Sequence, residues 1–164
     1  MADKKIGAGC IFTNGKLILA GLQRKQKQLV LSGIGGKRNE GETPHETAIR
    51  ETVEELFNVN IVPPELTIRL MSELTPIKIG GTYTYTTFTY SFEDLAKFLT
   101  LSNSYIQTTM YKQFPLTLHE LMFGRLSDPT SEIQTLSLVP VHPNISFDPY
   151  FVEDINRLIQ ETTS

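Results

Sequence analysis

The sequence predicts an α/β domain, or an α+β domain, in which helices are layered against strands. Strand-like segments lie near both ends of the chain, and two well-marked helices, at residues 44–57 and 148–160, separate or follow them. Such mixing is typical of a layered domain. With 164 residues, 40% of them hydrophobic and 20% charged, the chain is the size of one globular domain. We therefore expect a single domain over residues 1–164.

The first strands are predicted by hydrophobic content and by turn residues. Residues 6–12 are apolar, Asn14-Gly15 is a strong hairpin signal, and residues 16–22 form the return strand. Arg24, Lys25 and Lys27 suggest a basic turn. Residues 29–31 then make a short strand that enters a glycine-rich segment.

The first helix carries clear start and stop signals. Thr43 can cap its N-terminus, Pro44 suits the first helical position, and Glu46 stands where a capping box needs it. We expect the helix to run from Pro44 to Phe57. Asn58 can supply the left-handed residue that ends it.

Two further strands are predicted in the middle of the chain, at residues 66–74 and 82–92, with Gly80-Gly81 as the turn between them. The second alternates Tyr and Thr with Phe, which are common in strands. Residues 93–101 suggest a short helix.

In the last third of the chain we expect an insertion at about residues 102–131. Within it, Thr117 to Gly124 has the capping signals of a helix. Its aromatic residues either line a pocket or fill a satellite core, and we favour the core. Residues 133–141 predict a last strand, and Asp148 caps the C-terminal helix.

Bulk composition excludes several classes of protein. A net charge of −3 gives no general attraction for nucleic acid, and the one cysteine, Cys10, excludes an internal disulfide. Cys10 lies in an apolar strand and is expected in the core. No segment is long and apolar enough to span a membrane, and the N-terminus lacks a signal-peptide core. We expect no membrane partner and an intracellular, cytoplasmic location.

The helix at residues 44–57 places three carboxylates on one face. Glu51, Glu54 and Glu55 follow i, i+3, i+4 spacing, with an apolar stripe opposite that can bind a sheet. We expect the three to point together away from the core, with Arg50 able to pair with Glu54. Hard oxygen ligands in such a cluster suit Mg²⁺ or Mn²⁺. Taken alone, the same pattern also describes a solvated acidic face.

The flanking spacing favours the metal site. Gly36-x5-Glu42-x7-Arg50-Glu51-x2-Glu54-Glu55 resembles the Nudix box, G-x5-E-x7-R-E-U-x-E-E-x-G-U, where U is aliphatic. The resemblance implies an α/β/α sandwich with a mixed β-sheet. Thr52, Phe57 and Asn58 depart from the pattern at positions that carry no metal ligand.

The resemblance also implies an activity: hydrolysis of a nucleoside diphosphate linked to another moiety. It assigns Glu51, Glu54 and Glu55 as metal ligands, joined by the Gly36 carbonyl, and it makes Glu42 a supporting residue that orients Arg50 or a ligand. The general base varies in the family. Glu132, just before the last strand, is one candidate, and Glu54 or Glu55 is another.

Several substrates fit this chemistry. The glycine-rich entry is similar to that of the MutT-like branch that hydrolyses oxidised purine nucleoside triphosphates. By that similarity Phe147 or Phe151 would stack on a base and Asp148 would accept its hydrogen bonds. Lys37 and Arg24 could contact phosphates. Capped messenger RNA, dinucleoside polyphosphates and diphosphoinositols are alternatives, and a homodimer is possible.

Other classes are less well supported. A non-catalytic nucleotide- or protein-binding module usually lacks some box glutamates, and this chain keeps all of them. The prenyl-diphosphate isomerase branch would need Cys10 as its active residue. His45, His119 and His142 lack metal-ligand spacing.

Overall fold

The computed structural model describes residues 6–25 and 28–141; the side chains of residues 24, 25, 28 and 29 are not described. The described strands are β1 (Gly7–Thr13), β2 (Leu17–Lys25), β3 (Gln28–Ser32), β4 (Ile34–Lys37), β5 (Lys78–Gly81), β6 (Tyr85–Ser91) and β7 (Ile133–Pro140). The described helices are α1 (Pro44–Phe57), α2 (Pro64–Glu73), α3 (Phe92–Asn103) and α4 (Leu118–Phe123).

The described strands form one mixed, open sheet. Its main order is β3-β2-β1-β6-β5, with β4 also pairing with β1 and β7 with β2. The β1–β6 pair is parallel, and every other pair is antiparallel. β1 and β2 are paired at Thr13 and Ile18, next to the turn that joins them, and separate beyond this point. The first half of β1 pairs with β4 instead. This parting opens space beside β4.

The main core lies between one face of the sheet and the helices. Ala8, Cys10 and Phe12 alternate along β1 and are almost fully buried, as period-two spacing requires. The Cys10 thiol donates to the Ala48 carbonyl of α1 at 3.6 Å, and Phe12 packs edge-on against Phe98 of α3. Helices α1 and α3 therefore cover the same face, and Cys10 is a core residue, as predicted.

The first helix has the predicted limits. Thr43 accepts from the Glu46 backbone, Glu46 accepts from the Thr43 backbone, and Asn58 ends the helix at φ 52°. The helix predicted over residues 93–101, the one capped by Thr117 and Gly124, and the strand at 133–141 are also present as α3, α4 and β7.

The strand predicted at residues 66–74 is wrong, because this segment is helix α2. Pro63 is the N-cap of α2 and Pro64 is its first residue, a position where proline is well tolerated. Leu66, Leu70 and Leu74 stand four residues apart and are all buried, so the apolar spacing is helical.

Two turns also differ from the prediction. Gly80 and Gly81 belong to β5 and pair with Thr87 and Thr86, so the hairpin turn lies one step later, where Thr82 N–H donates to Tyr85 O at 2.8 Å. Arg24 and Lys25 do not form a turn but extend β2, where the ladder with β3 continues.

The 102–131 segment contributes to the main core. Tyr111 is buried, Tyr105 and Phe114 pack against the same cluster, and Phe123 is 74% exposed. These residues therefore do not form a separate satellite core. The helix predicted at 148–160 lies outside the described residues. Within the described part of the chain, no helix is long and apolar enough to cross a membrane.

Candidate active site

Arg50 organises the outer part of the glutamate helix. Its Nε donates to Glu42 Oε2 at 2.6 Å, and its Nη2 donates to Glu42 Oε1 at 3.0 Å. Its Nη1 reaches Glu51 Oε1 at 3.0 Å and both Glu54 oxygens at 3.1 Å. Nη2 also donates to the Lys37 carbonyl at 2.8 Å, which ties the end of β4 to α1. One guanidinium thus holds three carboxylates, more than the predicted pairing with Glu54.

Glu42 is fixed on both sides. Besides Arg50, its Oε1 accepts from Asn39 N–H at 2.9 Å and from the Thr47 hydroxyl at 3.0 Å. Burial raises the pKa of Glu42, but these hydrogen bonds outweigh burial and leave the pKa below its ordinary value. Glu42 is therefore ionised and oriented toward Arg50.

Gly36 leaves room for Glu51. A Cβ added at Gly36 would lie 2.4 Å from the Glu51 Cδ and Oε2 atoms, so the bare backbone of β4 is in contact with the carboxylate. Burial raises the pKa of Glu51, and Arg50 opposes that rise. The predicted neighbours Gly36 and Glu51 are brought together.

Glu55 does not point to solvent, and the expectation that all three carboxylates point away from the core is wrong for it. The residue is only 6% exposed, and both carboxylate oxygens are buried without a hydrogen-bond partner. Burial is the largest cause of its strongly raised pKa, followed by the charges of Glu132 and Glu51. The Gly35 backbone lowers the pKa of Glu55, although it forms no hydrogen bond with either carboxylate oxygen. Such a carboxylate is poorly satisfied by the protein alone.

Glu132 lies in the same electrostatic neighbourhood. It is exposed and stands between two buried residues, Ser131 and Ile133, immediately before β7. Its charge raises the pKa of both Glu55 and Glu51, so the fold has brought this distant glutamate to the box. A β-bulge at the β2–β7 pairing, where Gln134 is the extra residue, lies beside it.

A cavity of about 280 Å³ has Glu132 in its lining, whereas the carboxylates of α1 do not line it. It lies mainly on the sheet face opposite α1, where Gly7, Gly9 and Gly35 form a floor free of side chains. The Tyr85 hydroxyl would lie 2.4 Å from a Cβ added at Gly9 and 2.1 Å from one at Gly35, so the phenol lies directly on that floor. The other polar residues that line the cavity are Gln23, Ser32, Lys37, Thr84, Thr87 and Glu132.

The carboxylates of α1 offer oxygen ligands of the kind that a divalent cation prefers. Within residues 6–25 and 28–141, no three His, Cys, Asp or Glu side chains converge into a formed metal site. Arg50 holds Glu51 and Glu54 in its own hydrogen bonds. The two unpartnered oxygens of Glu55 and the oxygen-only donor set nevertheless fit Mg²⁺ or Mn²⁺. The described carboxylates therefore fit a divalent cation.

The predicted substrate residues are only partly described. Lys37 is exposed and lines the cavity. The backbone of Arg24 lies in β2, but its side chain is outside the described residues, as are Phe147, Asp148 and Phe151.

Sequence reasoning missed Gln23, Tyr85 and Arg125. Gln23 and Tyr85 are single residues in strands, and nothing in a strand pattern predicts that they border a cavity. Arg125 donates to carbonyls of both α1 and β7, a contact made across 69 positions in the case of Leu56. No local signal announces such a contact.

Comparison with known proteins agrees with the fold and the box. The family model of the NUDIX domain matches residues 3–108, well over half of the chain. The chain therefore belongs to the Nudix family and is a hydrolase of the class that acts on nucleoside diphosphates linked to another moiety. Enzymes of this family generally need divalent cations and act on small nucleotides. No curated protein matches the chain in sequence.

Solved structures share the fold at low sequence identity. A Nudix hydrolase from M. smegmatis, RenU, has a TM-score of 0.53 and 16% identity, over 99% of this chain and 89% of that one. A MutT protein from Methanosarcina mazei Go1 has a TM-score of 0.50 and 13% identity, over 100% of both chains. A bifunctional NMN adenylyltransferase/ADP ribose pyrophosphatase from Francisella tularensis has a TM-score of 0.51 and 13% identity, and this chain covers 41% of its length. These likenesses show the fold.

Proposed function

We propose that the protein is a Mg²⁺- or Mn²⁺-dependent pyrophosphohydrolase that cleaves a nucleoside di- or triphosphate-type substrate by attack of water on phosphorus. The observation that carries the proposal is the pair of buried Glu55 oxygens without hydrogen-bond partners, next to Glu51 and within the field of Glu132. A buried, unpaired carboxylate destabilises a fold, so its presence in a family box is best explained by a cation.

Glu51, Glu54 and Glu55 would hold the cation, together with the Gly36 carbonyl. A bound divalent cation would neutralise the diphosphate and lower the pKa of an attacking water. Arg50 and Glu42 keep the carboxylates in place. Arg50 must share Glu51 and Glu54 with the cation, and its two bonds to Glu42 keep it nearby when it does so.

Glu132 is our candidate for the group that takes the proton from water. It is exposed and lines the cavity, while its charge acts on the ligand carboxylates. A general base needs access to water and a position near the reacting phosphorus. Glu54 and Glu55 are the alternatives, and a ligand role for Glu55 leaves it less free to accept a proton.

The cavity suits one small nucleotide better than a polymer. Its volume of about 280 Å³ is close to the lower end of the range for small-molecule sites. Ser32 contributes a buried hydroxyl without a hydrogen-bond partner, and Gln23 is also buried in the lining. Lys37 at the rim can contact phosphate. We also propose that residues 1–164 form one domain, which is supported by a core that extends from Ala8 to Leu136.

The test measures phosphate and nucleotide release with Mg²⁺ or Mn²⁺ across nucleoside triphosphates, dinucleoside polyphosphates, ADP-ribose, a diphosphoinositol and capped RNA. We expect turnover of small nucleotides that is abolished by EDTA. Turnover of capped RNA alone, with an affinity that falls steeply with salt, would replace the small-nucleotide proposal by decapping.

Glu54→Gln and Glu55→Gln should each lower kcat by about 10²-fold or more, because a metal ligand is lost. Glu40→Gln is the matched control, since Glu40 is an exposed glutamate just outside the helix. Full activity of both ligand variants would contradict the metal assignment. Metal binding without turnover of any substrate would favour a binding module.

A further inference from the structure

Three residues of the 102–131 segment contact the C-terminal end of α1. The Thr108 hydroxyl donates to the Phe57 carbonyl. The Asn58 side chain donates to Asp128 Oδ2 at 3.1 Å. The Phe57 ring packs on Phe114 with centroids 4.8 Å apart. The 102–131 segment therefore packs against α1 at Phe57 and Asn58, two positions at which the chain differs from the Nudix box.

Arg125, in the same segment, donates hydrogen bonds to two carbonyls near the end of α1. Its Nη1 donates to the Leu56 carbonyl at 2.6 Å, and its Nη2 donates to the Glu55 carbonyl at 3.1 Å. The last carbonyls of a helix lack partners within the helix, and a guanidinium beside them also meets the negative end of the helix dipole. Arg125 thus caps α1 at Glu55 itself.

The same guanidinium also fixes the start of β7. Nη2 donates to the Ile133 carbonyl at 3.0 Å and to the Ser131 hydroxyl at 3.4 Å, and that hydroxyl donates to the Ile133 carbonyl at 2.8 Å. Ser131 and Ile133 are the two neighbours of Glu132. One side chain therefore connects the Glu55 carbonyl to the Ile133 carbonyl on one side of Glu132 and to the Ser131 hydroxyl on the other.

We propose that Arg125 is a positioning residue that sets Glu132 at a fixed place relative to the carboxylates of α1. The inference rests on the proposed function, because it assigns a purpose to the position of Glu132. Arg125 and Glu132 both lie beyond residues 3–108, the part that the family model matches. Arg125 lies in the 102–131 segment, and Glu132 follows that segment directly.

The geometry explains why arginine is needed here. A planar fork with several N–H donors can reach carbonyls in two directions at once, and a lysine ammonium on a flexible stem cannot reproduce that arrangement. Arg125→Lys keeps the charge and removes the bridge. Thr108→Val is the matched control, because it removes a hydrogen bond to the same helix end without contact to residues 131–133.

The experiment is a double-mutant cycle on the metal-loaded enzyme with the best nucleotide of the panel. We expect Arg125→Lys to lower kcat by about 10–100-fold, as loss of a supporting partner does, with KM and the Mn²⁺ dissociation constant little changed. Thr108→Val should leave kcat near the wild-type value. In a Glu132→Gln background, Arg125→Lys should cause no further loss, because the residue it positions is already inactive.

A second measurement does not depend on activity. Hydrogen exchange of the amides at residues 131–134 should accelerate in Arg125→Lys and not in Thr108→Val, because only the first frees the start of β7. If Arg125→Lys does not fold, Ser131→Ala takes its place in the cycle and in the exchange measurement, since it removes one of the bridging bonds.

The outcomes separate the two proposals. Additive losses in the Glu132→Gln background, or equal losses from Thr108→Val, overturn the positioning role and leave the proposed function standing. Unchanged exchange at residues 131–134 also overturns it. If the wild-type protein cleaves no substrate, the proposed function fails, and the exchange result alone decides whether Arg125 fixes this segment.

Discussion

Arg50 and Glu42 form a two-point ion pair, with Nε to Oε2 at 2.6 Å and Nη2 to Oε1 at 3.0 Å. We expect Glu42→Gln to break this geometry, because an amide offers one acceptor oxygen instead of two. Arg50 would then stay on Glu51 and Glu54 and compete with the cation. The expected loss in kcat/KM is about 10–100-fold.

The control for that prediction is Glu73→Gln. Glu73 also pairs with an arginine, Arg69, at 2.7 Å, but both side chains are nearly half exposed. Solvent screens such an exposed pair, and its loss should leave kcat/KM unchanged. Equal effects of the two variants would contradict a special role for Glu42.

Gly36→Ala tests the contact between β4 and α1. The new methyl group would overlap the Glu51 carboxylate, which is the free end of a flexible side chain and must move. We expect the Mn²⁺ dissociation constant to rise about 10-fold or more while the protein stays folded. Titration of Mn²⁺ followed by electron paramagnetic resonance measures this. If Gly36→Ala weakens binding further in a Glu51→Gln background, displacement of Glu51 is not the cause.

Glu55→Gln should stabilise the metal-free protein at neutral pH. Burial raises the folded pKa of Glu55 above its unfolded value, so its contribution to stability is fully present below the unfolded pKa and is lost as pH rises toward the folded pKa. The advantage of the variant over wild type should therefore grow from pH 4 to pH 8. Urea unfolding in EDTA measures it, and a constant difference across this pH range would contradict the raised pKa.

Added cation should reverse that order. A ligand that binds only the folded state adds about 2.7 kcal/mol at 100 times its dissociation constant. Wild type should gain this stability with Mg²⁺ or Mn²⁺, and Glu55→Gln should gain much less at the same concentration. Equal gains would remove Glu55 from the ligand set.

Phe57→Ala should be strongly destabilising. Phe57 is fully buried and packs on Phe114, and loss of a buried phenylalanine costs about 3–5 kcal/mol. Phe123→Ala is the control, because Phe123 is 74% exposed. A surface change of this kind costs about 0.5 kcal/mol or less. Urea unfolding that gave similar costs for both would contradict the docking of the 102–131 segment through Phe57.

Much of the glutamate helix could be predicted from local sequence. Thr43, Glu46 and Asn58 are capping signals that act within one turn, so their effect does not depend on the rest of the fold. The prediction of a strand at residues 66–74 was wrong for the opposite reason. Its leucines fit helix spacing, but its β-formers also suit a strand, and packing of Leu66 and Leu70 into the core decided between them.

The sequence by itself determined the limits of α1, the spacing of its carboxylates and the family to which the box belongs, because these depend on residues near one another along the chain. Only the tertiary structure decided which carboxylate is buried. Glu55 is enclosed because β4 and the start of β7 lie beside α1, and Arg125 connects α1 to β7 over contacts that span 8 to 70 positions. Contacts between distant segments leave no periodic trace in a sequence, so neither the burial of Glu55 nor the bridge made by Arg125 can be deduced from it.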